Sequence, residues 1–460
     1  MALPVGQFFR VCNPSKTLDL GKPEDAQYYI DFSPVRGSDV IHELERTIVL
    51  SEDEPTCQLF TGHIGCGKST ELSRLKTTLE KLGYHVVYFE SSEDLDMADV
   101  DISDILLAIA RQVSRSLEEA RIRLEPTRFQ RLLQGTVELL NSEVTGFKLK
   151  LPEVQVAGTG VKVPEEIGLT QAGGDYSLSF GIGQLTTRAK DSKDIRTLLR
   201  QHLEPRVNTI LEALNGELIA PAQQQLAQRG KAGLVVIIDN LDRIDNKPKL
   251  QDRRQPEYLF VDRGDQLKKL RCHIVYTIPL ILAFSNEREN LINRFGSEPQ
   301  VLPMVRTSNR DGSRCEAGLT ALRQMVLRRA FPGQSEEAQW AALAEVVDAP
   351  ETLDTLCLVS GGHVRNLLVL LHSCLRKTDP PVEKELLERV ISQRRSAIVK
   401  TITAEEWQLL RQVRREQAVK GEEEYQTLLR SLFVFEYRDA DQSWFDLNPV
   451  LLAAEALGDD

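Results

Sequence analysis

The sequence lacks a C-x-x-C pair: its seven cysteines, at 12, 57, 66, 272, 315, 357 and 374, are scattered through 460 residues. An odd, unclustered set excludes a disulfide frame and a cysteine zinc site, and reads as free thiols in a reducing cytoplasm. No stretch approaches about 18 uninterrupted apolar residues, so no helical membrane span is expected. The opening Met-Ala-Leu-Pro-Val-Gly has none of the features of a secretory leader. Excess positive charge is missing too. Lys and Arg number 57 against 68 Asp and Glu, a net charge of -11, which excludes a surface that grips nucleic acid all round and leaves only a local basic patch. Hydrophobic and charged contents of 41% and 27% are those of an ordinary globular chain, long enough for roughly two to four domains.

What is present centres on Gly62-His63-Ile64-Gly65-Cys66-Gly67-Lys68-Ser69-Thr70, which fits G-x-x-x-x-G-K-[ST] at every fixed position. Gln58 to Thr61 reads as a strand in front of it. Ser69 to about Leu82 reads as a helix behind it, with Leu72, Leu75 and Leu79 on one face. Gly62, Gly65 and Gly67 let the backbone turn N–H groups, Cys66 and Thr70 included, onto a phosphate, and the helix adds its positive end. Lys68 reaches the β- and γ-phosphates and the Ser69 hydroxyl ligates Mg²⁺. No guanine-reading Asn-Lys-x-Asp appears, which favours ATP. Cys66, beside a lysine and a helix N-terminus, is expected to be the most reactive thiol.

In chain order, 1–45 is loop-rich, with a helix beginning near Ser38-Asp39. Arg36, Gly37 and Tyr28 or Tyr29 are candidates to touch an adenine, or form a strap that only packs on the sheet. His85 to Glu90 reads as a second strand, and Asp101 to Leu117 and about Glu125 to Leu140 as helices. From about 145 to 190 the period changes to two: Phe147-Lys148-Leu149-Lys150-Leu151, Val154-Gln155-Val156 and Tyr176-Ser177-Leu178-Ser179-Phe180, with glycines between. This predicts a β-hairpin insertion, either a small sheet packed on the core or a contact arm. Leu234 to Ile238 is a buried strand followed at once by Asp239, a carboxylate delivered at the strand's C-terminal end, where it would hold Mg²⁺. Asn240 is no base. Asp242 is the candidate to activate water, with capping of the next turn as its other reading.

Ile238-Asp239-Asn240-Leu241-Asp242-Arg243 resembles the second motif of KAP-type and NACHT/STAND-type ATPases, and later features are similar to AAA+ proteins more broadly. That resemblance implies an α/β fold: a parallel-sheet P-loop NTPase core with the hairpin insertion, a helical lid and a small α+β winged-helix-like C-terminal domain. It places Thr277, ending the strand from His273, as the γ-phosphate sensor. It places Arg294, in Arg294-Phe295, as an arginine reaching a neighbouring subunit's nucleotide, with a plain surface arginine as the other reading. In Ser360-Gly361-Gly362-His363-Val364-Arg365, Arg365 matches a lid arginine that reaches back to the nucleotide, although Val364 stands where the family often has proline. The expected units are a linker over 1–45, a core over 46–305, a lid over 306–400 and the last unit over 401–460.

Helices at 405–413 and 425–432 followed by two strands suggest the winged helix. Residues 401–460 carry 6 Lys/Arg against 13 Asp/Glu, and Glu422-Glu423-Glu424 opens the second helix, so DNA contact is disfavoured against protein contact or autoinhibition. The resemblance implies an ATP-driven switch that forms a homo-oligomer on binding ATP, turns over slowly and signals to an effector protein, as in prokaryotic conflict and antiphage systems. The alternative is a nucleic-acid loader or remodeller of the origin-recognition type. A small-molecule kinase is disfavoured by the lid and the tail.

Overall fold

The structure, a computed structural model, describes residues 3–52, 54–124, 127–144, 178–250, 253–439 and 442–457. Five parallel strands make the central sheet: β1 (Cys57–Gly62), β2 (His85–Glu90), β3 (Leu234–Asp239), β4 (His273–Thr277) and β5 (Gln300–Leu302). Their spatial order is β2-β3-β4-β1-β5. β4 lies between β1 and β3, so the loop leaving β1 and the acid ending β3 face one crevice at the C-terminal edge.

The strand period sorts side chains to two faces. Phe60, Val86, Val235, Ile237 and Val275 meet α2 (Val40–Leu50) and α3 (Lys68–Lys81) through Val40, Ile41, Leu44, Leu72, Leu75 and Leu79. Leu59, Val87, Val236, Ile238 and Ile274 meet α4 (Ile102–Glu119) through Ile105, Leu106, Ile109 and Val113. Both sheet faces are thus covered, as a run like Leu234–Ile238 demands. α4 is started by a reciprocal cap between Asp101 and Asp104, which satisfies two orphan backbone donors.

α2 is the helix expected from Ser38-Asp39, and α1 (Val5–Val11) places Phe8 in one core with Leu322 and Leu367. One expectation changes. The alternation at 176–180 is not a strand where it is described: α6 (Leu178–Asp191), which follows α5 (Thr127–Val144), is a helix that packs Ile182 and Leu185 with α4. Phe147–Leu151 and Val154–Val156 lie outside the described residues.

α7 (Arg288–Phe295) lies between β4 and β5, and after the sheet come α8 (Glu316–Ala330), α9 (Pro350–Ser360) and α10 (Val364–Leu375). The last three share one core through Leu322, Val326, Leu353, Leu356, Leu367 and Leu371. α11 (Ala404–Glu416) and α12 (Glu423–Arg430) bury Trp407, Leu410 and Leu428 together. The antiparallel hairpin β6 (Val434–Arg438) and β7 (Ser443–Leu447) instead sends Phe435, Tyr437 and Trp444 into the α2–α3 face of the sheet core. Among the described residues, no helix is long and apolar enough to cross a membrane.

Candidate nucleotide site

The loop after β1 turns through Gly65 (φ +93) and Gly67 (φ +111), left-handed positions that a side chain would strain, and α3 begins at Lys68. Lys68 is 6% exposed. Its Nζ donates to the carbonyls of Gly62 at 2.7 Å and His63 at 3.0 Å, and pairs with Asp242 Oδ2 at 2.9 Å. Burial works against this ammonium, but the carboxylates of Asp242 and Asp239 and the Cys66 thiol outweigh it and hold its pKa above the ordinary value. Ser69 and Thr70 follow, half-buried at the helix start.

The second motif supplies the opposite wall. Asp239 Oδ2 accepts from the Tyr88 hydroxyl at 2.8 Å, and Oδ1 accepts from the Asn240 amide at 2.7 Å. Asn240 takes a left-handed backbone (φ +67), which swings the next turn so that Asp242 faces Lys68. Asp242 Oδ1 is buried with no hydrogen-bond partner. The Thr277 hydroxyl donates to the Ile238 carbonyl at 3.1 Å and accepts from the Leu241 amide at 2.9 Å, stapling the same turn. Ser69, Asp239 and the orphaned Asp242 oxygen are hard oxygen donors around one crevice, a set that fits Mg²⁺. Ser69 and Asp239 would hold it.

Three elements distant in sequence close on the loop. From the lid, the Arg365 amide donates to the Gly65 carbonyl at 3.1 Å, and His363 Nε2 donates to the Ile64 carbonyl at 2.9 Å. A Cβ at Gly65 would lie 2.8 Å from both Arg365 Cβ and His363 Cε1, so the lid seats on glycine. From the tail, the Glu436 amide donates to His63 Nε2 at 3.1 Å, and the Phe435 ring stacks on His363 with centroids 5.4 Å apart. Burial drives both imidazoles down, His363 to about 4 and His63 to about 3, so both are neutral. From the strap, Arg36 donates to the carbonyls of Cys66 and Pro303 from inside the protein. Tyr28 is buried beside α1, and the Tyr29 hydroxyl meets the Glu71 carboxylate. In this arrangement Arg36 and the two tyrosines pack as a strap. Cys66 is fully buried among Phe60, Met304 and Phe435, so its expected reactivity is overturned: neighbouring charge cannot activate a thiol that reagent does not reach.

Arg365 and Arg243 each have an acid near them, Asp242 and Glu90, but pair directly with neither. Neither guanidinium has a hydrogen-bond or ion-pair partner among the described residues. Arg365 is depressed first by burial and then by repulsion from Arg243. Arg243 belongs to the second motif, yet the sequence assigned it no role. Arg294 is not gathered here. It sits at the end of α7, pairs with Asp265 of its own chain and is partly exposed. Glu90 was also missed. It ends β2 opposite Asp239, with Oε2 accepting from Asn240 Nδ2 at 2.8 Å; burial, then the Asp239 charge, raises its pKa. The signal was visible, since Val86–Phe89 followed by an acid repeats the pattern of β3.

Glu436 carries a test of the tail's seat. It is 3% exposed, Oε2 has no partner, and burial lifts its pKa from 4.5 to about 8, with Arg438 opposing. Between those values the folded chain keeps a proton that the unfolded chain releases, so stability falls as pH rises, by at most about 1.4 kcal/mol per unit. Glu436→Gln should remove that slope. Denaturant unfolding of both proteins at pH 5 and pH 8 measures it, and parallel losses would refute it.

No protein-family model matches the chain, and no curated protein matches it. Among solved structures it is similar to the Walker-type ATPase PABY2304 of Pyrococcus abyssi, at 11% identity over 95% of this chain and 97% of that one, with a TM-score of 0.40. It is similar to the Aeropyrum pernix ORC2 protein in ADPNP–ADP complexes, at 13% identity over 99% and 97%, with a TM-score of 0.41. The A. pernix ORC1 protein in complex with DNA matches at 14% identity over 98% and 96%, with a TM-score of 0.35. At such identities ligands do not transfer. The five-stranded parallel sheet with a phosphate-type loop between β1 and α3 is this chain's own architecture.

Proposed function

We propose that this chain binds ATP with Mg²⁺ in the Gly62–Thr70 cradle and hydrolyses it, and that contact of the lid with the nucleotide makes it a switch. The observation that carries this is Lys68 and Arg365 at one glycine loop with Arg243 near Arg365: Lys68 is parked on buried Asp242, and among the described residues neither arginine forms an ion pair, although Asp242 attracts Arg365 and Glu90 attracts Arg243. A triphosphate supplies the missing charge. In this reading Lys68 leaves Asp242 for the β- and γ-phosphates, Arg365 closes from the lid, and Asp239 and Ser69 hold Mg²⁺, which neutralises charge on the phosphate oxygens. The Thr277 hydroxyl keeps the β3 turn in place and faces the γ-phosphate only by repartnering. The division into core, lid and tail at about 305 and 400 belongs to the same proposal, as does a role in conflict or antiphage systems, which rests on the Ile238–Arg243 resemblance.

Calorimetry with Mg²⁺-ATP and phosphate release from the purified chain test the first part; no binding at millimolar ATP would end it. Particle mass with ATP, with ADP and without nucleotide tests the switch. ATP-dependent assembly lost in Arg294→Ala is the expected result, because the Asp265 pair on the surface must open for Arg294 to serve a second copy. A monomer throughout would remove Arg294 from the site. The acidic 401–460 region, with Glu423 already paired to Arg254, favours a protein partner over a DNA duplex.

A further inference from the structure

We propose that Glu90, at the end of β2, is the general base that takes the proton from the attacking water; this rests on the ATPase reading above. The residue after Asp239 is Asn240, which accepts no proton at neutral pH, so the base must come from elsewhere. The register of β2 on β3 pairs Glu90 with Asp239, so two carboxylates leave neighbouring parallel strands at the same level, strands that lie about 4.8 Å apart. Asn240 turns its amide back across that gap and donates to Glu90 Oε2 at 2.8 Å. One carboxylate oxygen is thereby fixed, while Oε1 has no partner among the described residues and the side chain is half-exposed. A fixed carboxylate with one open oxygen at the C-terminal edge of the sheet, level with the Asp239 that would hold Mg²⁺, meets the requirement for a water-activating group.

The other acids are engaged. Asp239 is held by Tyr88 and by the Asn240 amide. Asp242 is ion-paired at 2.9 Å with the buried Lys68 ammonium, which suits it to park Lys68 between turnovers; once Lys68 has left for the phosphates it is the competing base, which the Asp242→Asn variant separates from Glu90. In the step itself, the water oxygen bonds to the γ-phosphorus and the water's proton passes to Glu90. The bond from the γ-phosphorus to the β–γ bridging oxygen breaks, its electron pair staying on ADP, and inorganic phosphate departs. Glu90 then returns its proton to solvent.

The test is Glu90→Gln in the full chain. The amide keeps an oxygen for Asn240 to donate to, so the hydrogen bond that bridges the ends of β2 and β3 is preserved. Mg²⁺-ATP affinity by calorimetry should stay within about threefold of wild type. Turnover should fall at least about a hundredfold. Nucleotide extracted from the protein after prolonged incubation should be ATP, where wild type yields ADP. Glu90→Asp keeps a carboxylate at shorter reach and should retain measurable turnover. Glu90→Gln turning over within threefold of wild type overturns the assignment. So does a loss explained wholly by weakened ATP binding, or ATP trapped in Asp242→Asn but not in Glu90→Gln. If wild type binds no ATP, or binds and never hydrolyses it, the ATPase reading fails first.

Discussion

Lys68→Ala is expected to abolish measurable ATP binding, to cut hydrolysis by roughly a thousandfold or more, and separately to weaken the fold. The first two effects follow from removing the one ammonium placed to neutralise the β- and γ-phosphates in a site largely closed to water. The third follows from Asp242. Its side chain is 4% exposed against 6% for Lys68, and its Oδ1 already lacks a partner. Taking away the lysine leaves a buried carboxylate without its ion-pair partner, with only the unpaired Arg365 charge near it, a change that typically costs about 3–5 kcal/mol. Asp242→Asn in the Lys68→Ala background removes that stranded charge. The double variant should therefore recover most of the lost stability and none of the ATP binding. Denaturant unfolding and calorimetry on wild type, both single variants and the double variant read the two effects independently. ATP binding by Lys68→Ala within tenfold of wild type would defeat the phosphate-loop reading. A double variant no more stable than Lys68→Ala would show that the ion pair is not what the fold depends on.

Local chemistry explains which parts of this arrangement were legible in the sequence. β2 and β4 are β-branched and aromatic runs of strand period, and their bounds match the expected His85–Glu90 and His273–Thr277. α10 matches Val364–Leu375 because Gly361 and Gly362 (φ +61 and +70) stop one helix, and the His363 side chain caps the next by accepting from the Asn366 amide. β5 was missed because three residues carry no period. The residues around 178–180 alternate like a strand, but Ile182, Leu185 and Ala189 recur at helical spacing and find the α4 core, so packing decides. Glu90 was hidden for another reason. Its acid-ended strand was plain, but its value depends on β2 lying beside β3, and strand order is not written locally. Cys66 fails in the same way: its neighbours describe a reactive thiol, and Phe435 from the far end of the chain buries it.

Gly362→Ala is the substitution expected to cost the fold most, and the reason bears on how lid, sheet and tail act together. Gly362 has φ +70, and a Cβ there would lie 1.6 Å from the Val305 carbonyl oxygen. No rotamer relieves a clash between backbone atoms, so one of the two segments must move. Val305 is fixed: Met304 beside it donates to the Glu436 carbonyl at 3.0 Å, and the Arg306 amide donates to the Val35 carbonyl at 3.2 Å. Moving it disturbs the tail hairpin and the strap, while moving Gly362 instead draws His363 and Arg365 away from Gly65. Destabilisation of roughly 3 kcal/mol or more is expected, with loss of any lid response to ATP. Gly333→Ala is the matched control. Its φ is +77, but nothing lies within 4 Å of the added Cβ, so it bears only the left-handed strain, about 1 kcal/mol. The gap between the two unfolding free energies thus measures steric closure of the joint, with backbone strain held constant. If the two variants unfold together, the joint has slack, and the lid can open without disturbing the sheet. If they differ as expected, any nucleotide that shifts Arg365 must also shift Val305, and through the Met304–Glu436 bond the tail hairpin. That would give the proposed switch a mechanical route from the phosphate loop to the acidic surface that a partner would meet.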